Sequence, residues 1–255
     1  MITSNDNKKI KHVISLLSKS RERQKDDAYV IEGPRMFSEV RAEDILEVYV
    51  SESYKGTCER LREIPYETVS DSVFKSMSDT LAPQGILCVA KRQHYDIDKI
   101  IRNNPKGLFV LLENVQDPGN LGTIMRTSEG AGVDLVIMSK DTVDLYNPKV
   151  VRSTMGSIFR QPFAVVDDIG DVVLRLRNAG ITCYAAHLEG SVDYATCDYK
   201  KGTCFFIGNE GNGLTDETTK MADRHIRIPM GGKLESLNAA VSAAVLVYEA
   251  NRQRR

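Results

Sequence analysis

Three short segments gather glycines, amides and single charged side chains in patterns suited to ligand chemistry. The first, Glu113-Asn-Val-Gln-Asp-Pro-Gly-Asn-Leu-Gly-Thr-Ile-Met-Arg126, has Pro118 and Gly119 where a type II turn needs them, so that Asn120 can cap a following helix. On that helix Leu121, Ile124, Met125 and Ser128 share one face, while Arg126 stands one turn beyond Gly122 on another. An arginine over a glycine leaves room for a ligand or a partner chain, although a solvated arginine fits the same pattern. In the second, Phe205-Phe-Ile-Gly-Asn-Glu-Gly-Asn-Gly-Leu214, glycines surround the lone carboxylate Glu210, so the backbone of Gly208, Asn209 and Gly211 can approach a ligand and expose N–H groups. The order of its glycines is not the dinucleotide fingerprint G-x-G-x-x-G, which disfavours an ordinary nicotinamide oxidoreductase. In the third, Ile226-Arg-Ile-Pro-Met-Gly-Gly-Lys-Leu-Glu-Ser-Leu-Asn238, Ser236 is a candidate N-cap and Asn238 falls in the first turn with its amide free to face the other loops.

These segments need a scaffold that brings them together, and the apolar pattern describes one. Strands are expected at 108–113, 135–138, 163–166, 181–186, 204–208 and 225–229, and helices at 121–130, 148–159, 170–178 and 236–251. Near-continuous apolar strands alternating with helices mean a parallel sheet covered on both faces, whose ligands sit at the carboxyl ends of strands. The last helix is small or apolar nearly all round, which predicts a deep interior position or a subunit interface. Ahead of a charged stretch at 91–106 lies a smaller α/β unit, with a basic helix at 8–25, strands at 28–33, 46–50 and 85–90, and a helix at 35–41. The domains are therefore placed at residues 1–95 and 106–255.

Composition narrows the function classes. A net charge of −1 excludes globally basic nucleic-acid binding, so any nucleic acid must be held by local patches. The candidates are Lys8, Lys9, Lys11, Lys19, Arg21 and Arg23 in the opening helix and Arg252, Arg254 and Arg255 at the end. No membrane span or apolar leader is visible, which suits a cytoplasmic protein. The five cysteines form no C-x-x-C pair and read as buried thiols, and no metal site is expected.

Together the segments resemble the SpoU family of RNA ribose 2′-O-methyltransferases, within the SPOUT superfamily. The family's N-x-G-x-x-x-R appears as Asn120, Gly122 and Arg126, its G-x-E-x-x-G-L as Gly208, Glu210, Gly213 and Leu214, and its I-P-M-x-G-x-x-x-S-L-N as Ile228 to Asn238. The resemblance covers most of 108–249, and Tyr29-Val-Ile-Glu-Gly with Gln84-Gly-Ile-Leu make the first domain similar to the family's RNA substrate-binding domain. Lys233-Leu-Glu235 departs from the smaller or less charged residues frequent there. The resemblance implies a carboxy-terminal trefoil knot, S-adenosylmethionine as cofactor against Gly208, Asn209, Gly211, Ile228, Met230 and Leu237, and a homodimer in which Arg126 acts near the partner's cofactor.

It further implies methylation of ribosomal RNA, with Asn120, Arg126, Glu210, Ser236 and Asn238 as catalytic-site residues. A guanidinium stays protonated, so Arg126 is expected to fix an RNA phosphate and stabilise the developing alkoxide, while the others organise the pocket. A transfer-RNA ribose methyltransferase, a SPOUT enzyme acting on a base, and a non-catalytic RNA-binding relative are the competing readings.

Overall fold

The computed structural model describes residues 1–187 and 191–255. Two units are separate by packing, one of residues 1–93 with 144–159 and one of residues 94–143 with 160–255.

In the first unit, Asn7 caps α1 (Lys8–Ser18) by accepting from the N–H of Lys9 at 2.9 Å, and α2 (Ser20–Lys25) follows. The expected single helix is broken at Lys19, whose backbone is extended. β1 (Ala28–Glu32), α3 (Pro34–Glu39), β2 (Ile45–Ser51), β3 (Glu67–Val69), α4 (Asp71–Ser76) and β4 (Ile86–Lys91) complete the segment. The strands order as β1-β4-β2-β3, with β2 and β3 parallel and the other pairs antiparallel. Ile10, Val13 and Leu16 lie at helical spacing on α1 and pack with Val30, Tyr49, Phe74 and Leu87 into one buried cluster.

The second unit opens with α5 (Ile97–Asn103), inside the charged stretch expected to hold the domain boundary; Asp96 caps it by accepting from the N–H of Lys99. β5 (Leu108–Leu112), α6 (Pro118–Ala131) and β6 (Leu135–Ser139) come next. α7 (Pro148–Ser153) and the turn Ser157–Phe159 then belong by packing to the first unit, where Arg23 of α2 donates to Asp144 at 2.6 Å and Arg152 to Asp79 at 2.9 Å. The second unit resumes with β7 (Phe163–Val166), α8 (Ile169–Asn178), β8 (Thr182–Ala186), β9 (Val192–Asp193), β10 (Thr203–Ile207), α9 (Asp216–Lys220), β11 (Arg224–Arg227) and α10 (Ala239–Arg254).

Its seven strands are all parallel, in the order β7-β6-β5-β10-β8-β11-β9. Every residue of β5 and β10 is buried, as a sheet covered on both faces requires. The chain leaves β5 toward β6 and β7 on one side, while β10 lies on the other. β5 and β10 thus flank the switch point at which strand order reverses, the place where such sheets open a crevice. Ile207 pairs with Leu112, so the loops leaving these two strands start side by side.

Candidate active site

Asp117, not Asn120, caps α6. Its carboxylate accepts from the N–H of Asn120 at 2.8 Å, and Pro118 occupies the first helical position, where its missing N–H costs nothing. The expected type II turn is therefore the first turn of the helix. The side chain of Asn120, released from capping, bridges the other two loops. Its amide nitrogen donates to Glu210 at 2.9 Å and its oxygen accepts from the amide of Asn238 at 2.9 Å. Asn238 is itself the N-cap of α10, accepting from the N–H of Ala240 and Val241, which corrects the expectation that Ser236 caps and Asn238 lies inside the helix. One asparagine thus binds the first loop to both of the others.

Glu210 also accepts from the backbone N–H of Gln116 at 3.1 Å and of Asp117 at 3.0 Å. Partial burial pushes its pKa up, but the hydrogen bonds from Asn120, Gln116 and Asp117 outweigh that and leave it below the ordinary glutamate value. It stands as an ionised strap across two loops.

The glycine loop is closed on itself. Asn209 and Gly213 exchange two backbone hydrogen bonds of 2.9 Å, and the Asn209 side chain accepts from the N–H of Gly211 and Asn212 while donating to the carbonyl of Asn114 at 2.8 Å. These N–H groups are already used, so the loop forms a shaped wall and not the set of free donors expected of it. A Cβ on Gly208 would run into the backbone of Gly213 and Leu214, which leaves no space for a side chain. The φ of +69° at Gly213 is a second reason for glycine here.

A buried carboxylate that sequence reasoning missed anchors the far end of this loop. Glu113, directly after β5, accepts from the N–H and hydroxyl of Thr215 at 2.8 Å each and from the hydroxyl of Thr218. Asn114, at φ 55°, turns the chain beside it. The available signal was a carboxylate ending a fully apolar strand, a position that is rarely charged without a partner.

The second and third loops, with the end of β8, form a cleft of about 590 Å³ lined by Gly208, Asn209, Glu210, Gly211, Ser236 and Leu237, together with His187 and Ser242, and no residue of the first loop lines it. A smaller apolar recess shares Ser236 and Leu237 with it and adds Ile228, Met230 and Leu246. All six expected cofactor contacts are therefore brought to one place, with Glu210 and Ser236 beside them and Asn120 and Asn238 tied on behind Glu210. The volume suits a ligand of nucleoside size. His187 follows β8, where the strand-end rule alone would have drawn attention to it. Arg126 lines neither cavity; it is exposed on α6 and has no hydrogen-bond or ion-pair partner among the described residues.

The expected RNA-contacting residues divide. Lys8 and Arg21 are exposed, while Lys9 pairs with Glu67 and Lys11 with Asp6. Arg23 is only 4% exposed and donates to Asp144 and to the carbonyls of Leu16 and Leu17, so it is a structural strut and is withdrawn as an RNA contact. Arg254 likewise ties down the carbonyls of Tyr199, Lys106, Gly107 and Lys201. Among the described residues no cluster of side chains could hold a metal ion, and no helix is long and apolar enough to cross a membrane.

A parallel sheet with a ligand-sized cleft at the carboxyl ends of its strands defines a doubly wound α/β protein. The chain belongs to the SpoU rRNA methylase family, whose model matches residues 107–248, and an MRM3-like substrate binding domain matches residues 7–88. It is 31% identical over 97% of both chains to the 23S rRNA (guanosine(2553)-2′-O)-methyltransferase RlmP of Bacillus subtilis. Its structure is similar to that of the SpoU methyltransferase AviRb from Streptomyces viridochromogenes in complex with the cofactor AdoMet, at a TM-score of 0.87 and 28% identity, covering 97% of this chain and 98% of that one. An rRNA methyltransferase from Sinorhizobium meliloti matches at a TM-score of 0.87 and 29% identity, covering 98% and 96% of the two chains.

Proposed function

We propose that this protein transfers the methyl group of S-adenosylmethionine to a ribose 2′-hydroxyl of ribosomal RNA, using the cleft between the second and third loops. The observation that carries this reading is the chain of hydrogen bonds from Asn238 through Asn120 to Glu210, which ties the first family motif to the two that line one cavity of nucleoside size. The apolar recess of Ile228, Met230, Leu237 and Leu246 fits an adenine ring, and the polar wall of Asn209, Glu210 and Ser236 fits an amino-acid tail. When bound, the cofactor supplies a sulfonium-activated methyl group, so the protein's own work is alignment and management of one proton.

Asn120, Glu210 and Asn238 hold the loops rigid and would thereby fix the walls against which the cofactor and a ribose are aligned. Arg126 binds an RNA phosphate through its fork of N–H donors and stabilises negative charge as the 2′-oxygen gives up its proton to solvent water. For that it must reach a cleft, and the surface it lies on points to a second copy of the chain. α10 packs one side on α6, β5 and β10, and leaves Val241, Ala244, Val245 and Tyr248 as an apolar stripe, with Val241 47% and Tyr248 46% exposed. Tyr248 sits against Gly130, which continues the Arg126 face of α6 one turn on. A homodimer through this surface buries the stripe and carries Arg126 to the partner's cleft. A carboxy-terminal trefoil knot and a cytoplasmic location, where RNA substrate is found, complete the reading.

Incubation with methyl-labelled cofactor and protein-free ribosomal RNA, followed by alkaline hydrolysis, tests it. Label in alkali-resistant dinucleotides is the expected result, because a 2′-O-methyl group blocks cleavage of the adjoining phosphodiester. Label confined to mononucleotides would place the methyl group on a base and overturn the proposal.

A further inference from the structure

The first unit has a cavity of its own, distinct in composition from the methyl-transfer cleft. It measures about 440 Å³ and lies at the carboxyl ends of the parallel strands β2 and β3, with Tyr54, Lys55, Phe74, Lys75, Gln84 and Gly85 among its walls. We infer that this cavity takes one unpaired nucleotide of the substrate RNA, with its base against Tyr54 and its phosphate at Lys55 and Lys75; the inference rests on the RNA-modifying reading above.

Three observations lead there. First, the Tyr54 ring is seated on backbone, since a Cβ on Gly85 would lie 2.8 Å from the ring and a Cβ on Gly56 would lie 2.5 Å from its hydroxyl. Gly85 also has φ +80°, so the Gln84-Gly-Ile-Leu motif has a local reason for its glycine. A half-buried aromatic ring fixed by two glycines at the mouth of a cavity is a stacking platform, and unpaired RNA bases are recognised largely by stacking. Second, Lys55 and Lys75 are both exposed and form no ion pair among the described residues, unlike Lys9 and Lys11 on the same unit. Third, the one carboxylate in the cavity wall, Asp71, accepts from the Ser51 hydroxyl and the Ser53 N–H, and Glu52 accepts from the N–H of Asp71, so both carboxylates are held on protein donors. The lysines are thus the groups left to meet a phosphate, and the crevice at the ends of parallel strands is where α/β units usually hold ligands.

Filter binding of the full chain to protein-free 23S ribosomal RNA, across a salt series, tests the assignment, with calorimetric titration of S-adenosylmethionine and the melting temperature recorded for each variant. Tyr54→Ala is expected to weaken RNA binding about ten-fold while Tyr54→Phe retains it. Lys55→Gln and Lys75→Gln combined are expected to lower the slope of log affinity against log salt by about 0.7, the share of one phosphate. Cofactor affinity should stay at the wild-type value throughout. Wild-type RNA affinity and slope in Tyr54→Ala and in the combined lysine variant, at an unchanged melting temperature, would overturn the nucleotide pocket and leave the methyl-transfer reading standing. A wild-type chain that binds the cofactor but no ribosomal RNA would overturn both.

Discussion

Asn238 donates its side-chain amide to the oxygen of Asn120 at 2.9 Å, across 118 positions of sequence. Because the nitrogen of Asn120 is committed to Glu210 in the same way, the amide has one workable orientation, and the three loops are locked in register by a side chain that can both give and accept. The order of strands makes this meeting possible: adjacent β5 and β10 place the first two loops side by side, and the third arrives with the cap of α10.

Replacing Asn120 by aspartate sets a carboxylate against Glu210 and removes the donor. Cofactor affinity in Asn120→Asp is expected to fall by about 1–3 kcal/mol, and by less in Asn120→Ala, which leaves Glu210 its two backbone partners. Calorimetry of the two variants would show this order, and equal affinities would mean that the bridge does not shape the cleft.

Glu113 accepts three hydrogen bonds while only 8% exposed, so Glu113→Ala takes the acceptor from the N–H of Thr215 and from the buried hydroxyl of Thr218, while the Thr215 hydroxyl keeps Thr218 as a partner. A loss of about 3 kcal/mol is expected, lowering the melting temperature by roughly 5–10 °C. Differential scanning calorimetry reads the change.

Since the pKa of Glu210 is lowered in the fold, its ionised form adds stability above the ordinary glutamate range. That contribution is complete at neutral pH and is lost as pH falls below 4.5 through the folded value. Loop protection followed by hydrogen exchange is therefore expected to be flat down to about pH 5 and to weaken below it in the wild type, with a shallower dependence in Glu210→Gln.

Arg126 touches nothing whose loss would unfold the chain, so Arg126→Ala should leave stability within about 0.5 kcal/mol of wild type. Its turnover is expected to drop at least about a hundred-fold with cofactor affinity unchanged. Arg126→Lys keeps the charge but not the fork, and should recover only part of the loss. Single-turnover kinetics separate the two.

Tyr248→Glu and Val241→Glu place charge in the apolar stripe of α10. Sedimentation is expected to show a dimer for wild type and a monomer for the double variant, which should be inactive yet still melt cooperatively.

Apolar periodicity located six strands of the parallel sheet to within two or three residues, because buried strands leave unbroken runs. It did not locate β9 or β3, only two and three residues long, nor α9, whose Asp216–Lys220 has no apolar face to reveal it. The members of the cleft were legible as motifs, but their roles were not. Asn120 and Ser236 looked like caps because their types and positions suit capping, and only the backbone shows that Asp117 and Asn238 hold those places. Glu113 was invisible as an anchor because Thr215 lies 102 positions away and meets it only through the β5–β10 register. Arg23 reads as a solvated base in a charged helix, and its burial depends on Asp144, far along the chain.

Quantitative mapping of ribose methylation across total RNA, in cells lacking the gene and in the same cells carrying either the wild type or Arg126→Ala, asks both whether this protein methylates ribosomal RNA and whether Arg126 is needed for it. A single position in ribosomal RNA should lose its 2′-O-methyl group, regain it with the wild type and fail to regain it with Arg126→Ala. An unchanged ribosomal RNA profile would rule out ribosomal RNA as the substrate, and full restoration by Arg126→Ala would rule out the role given to Arg126.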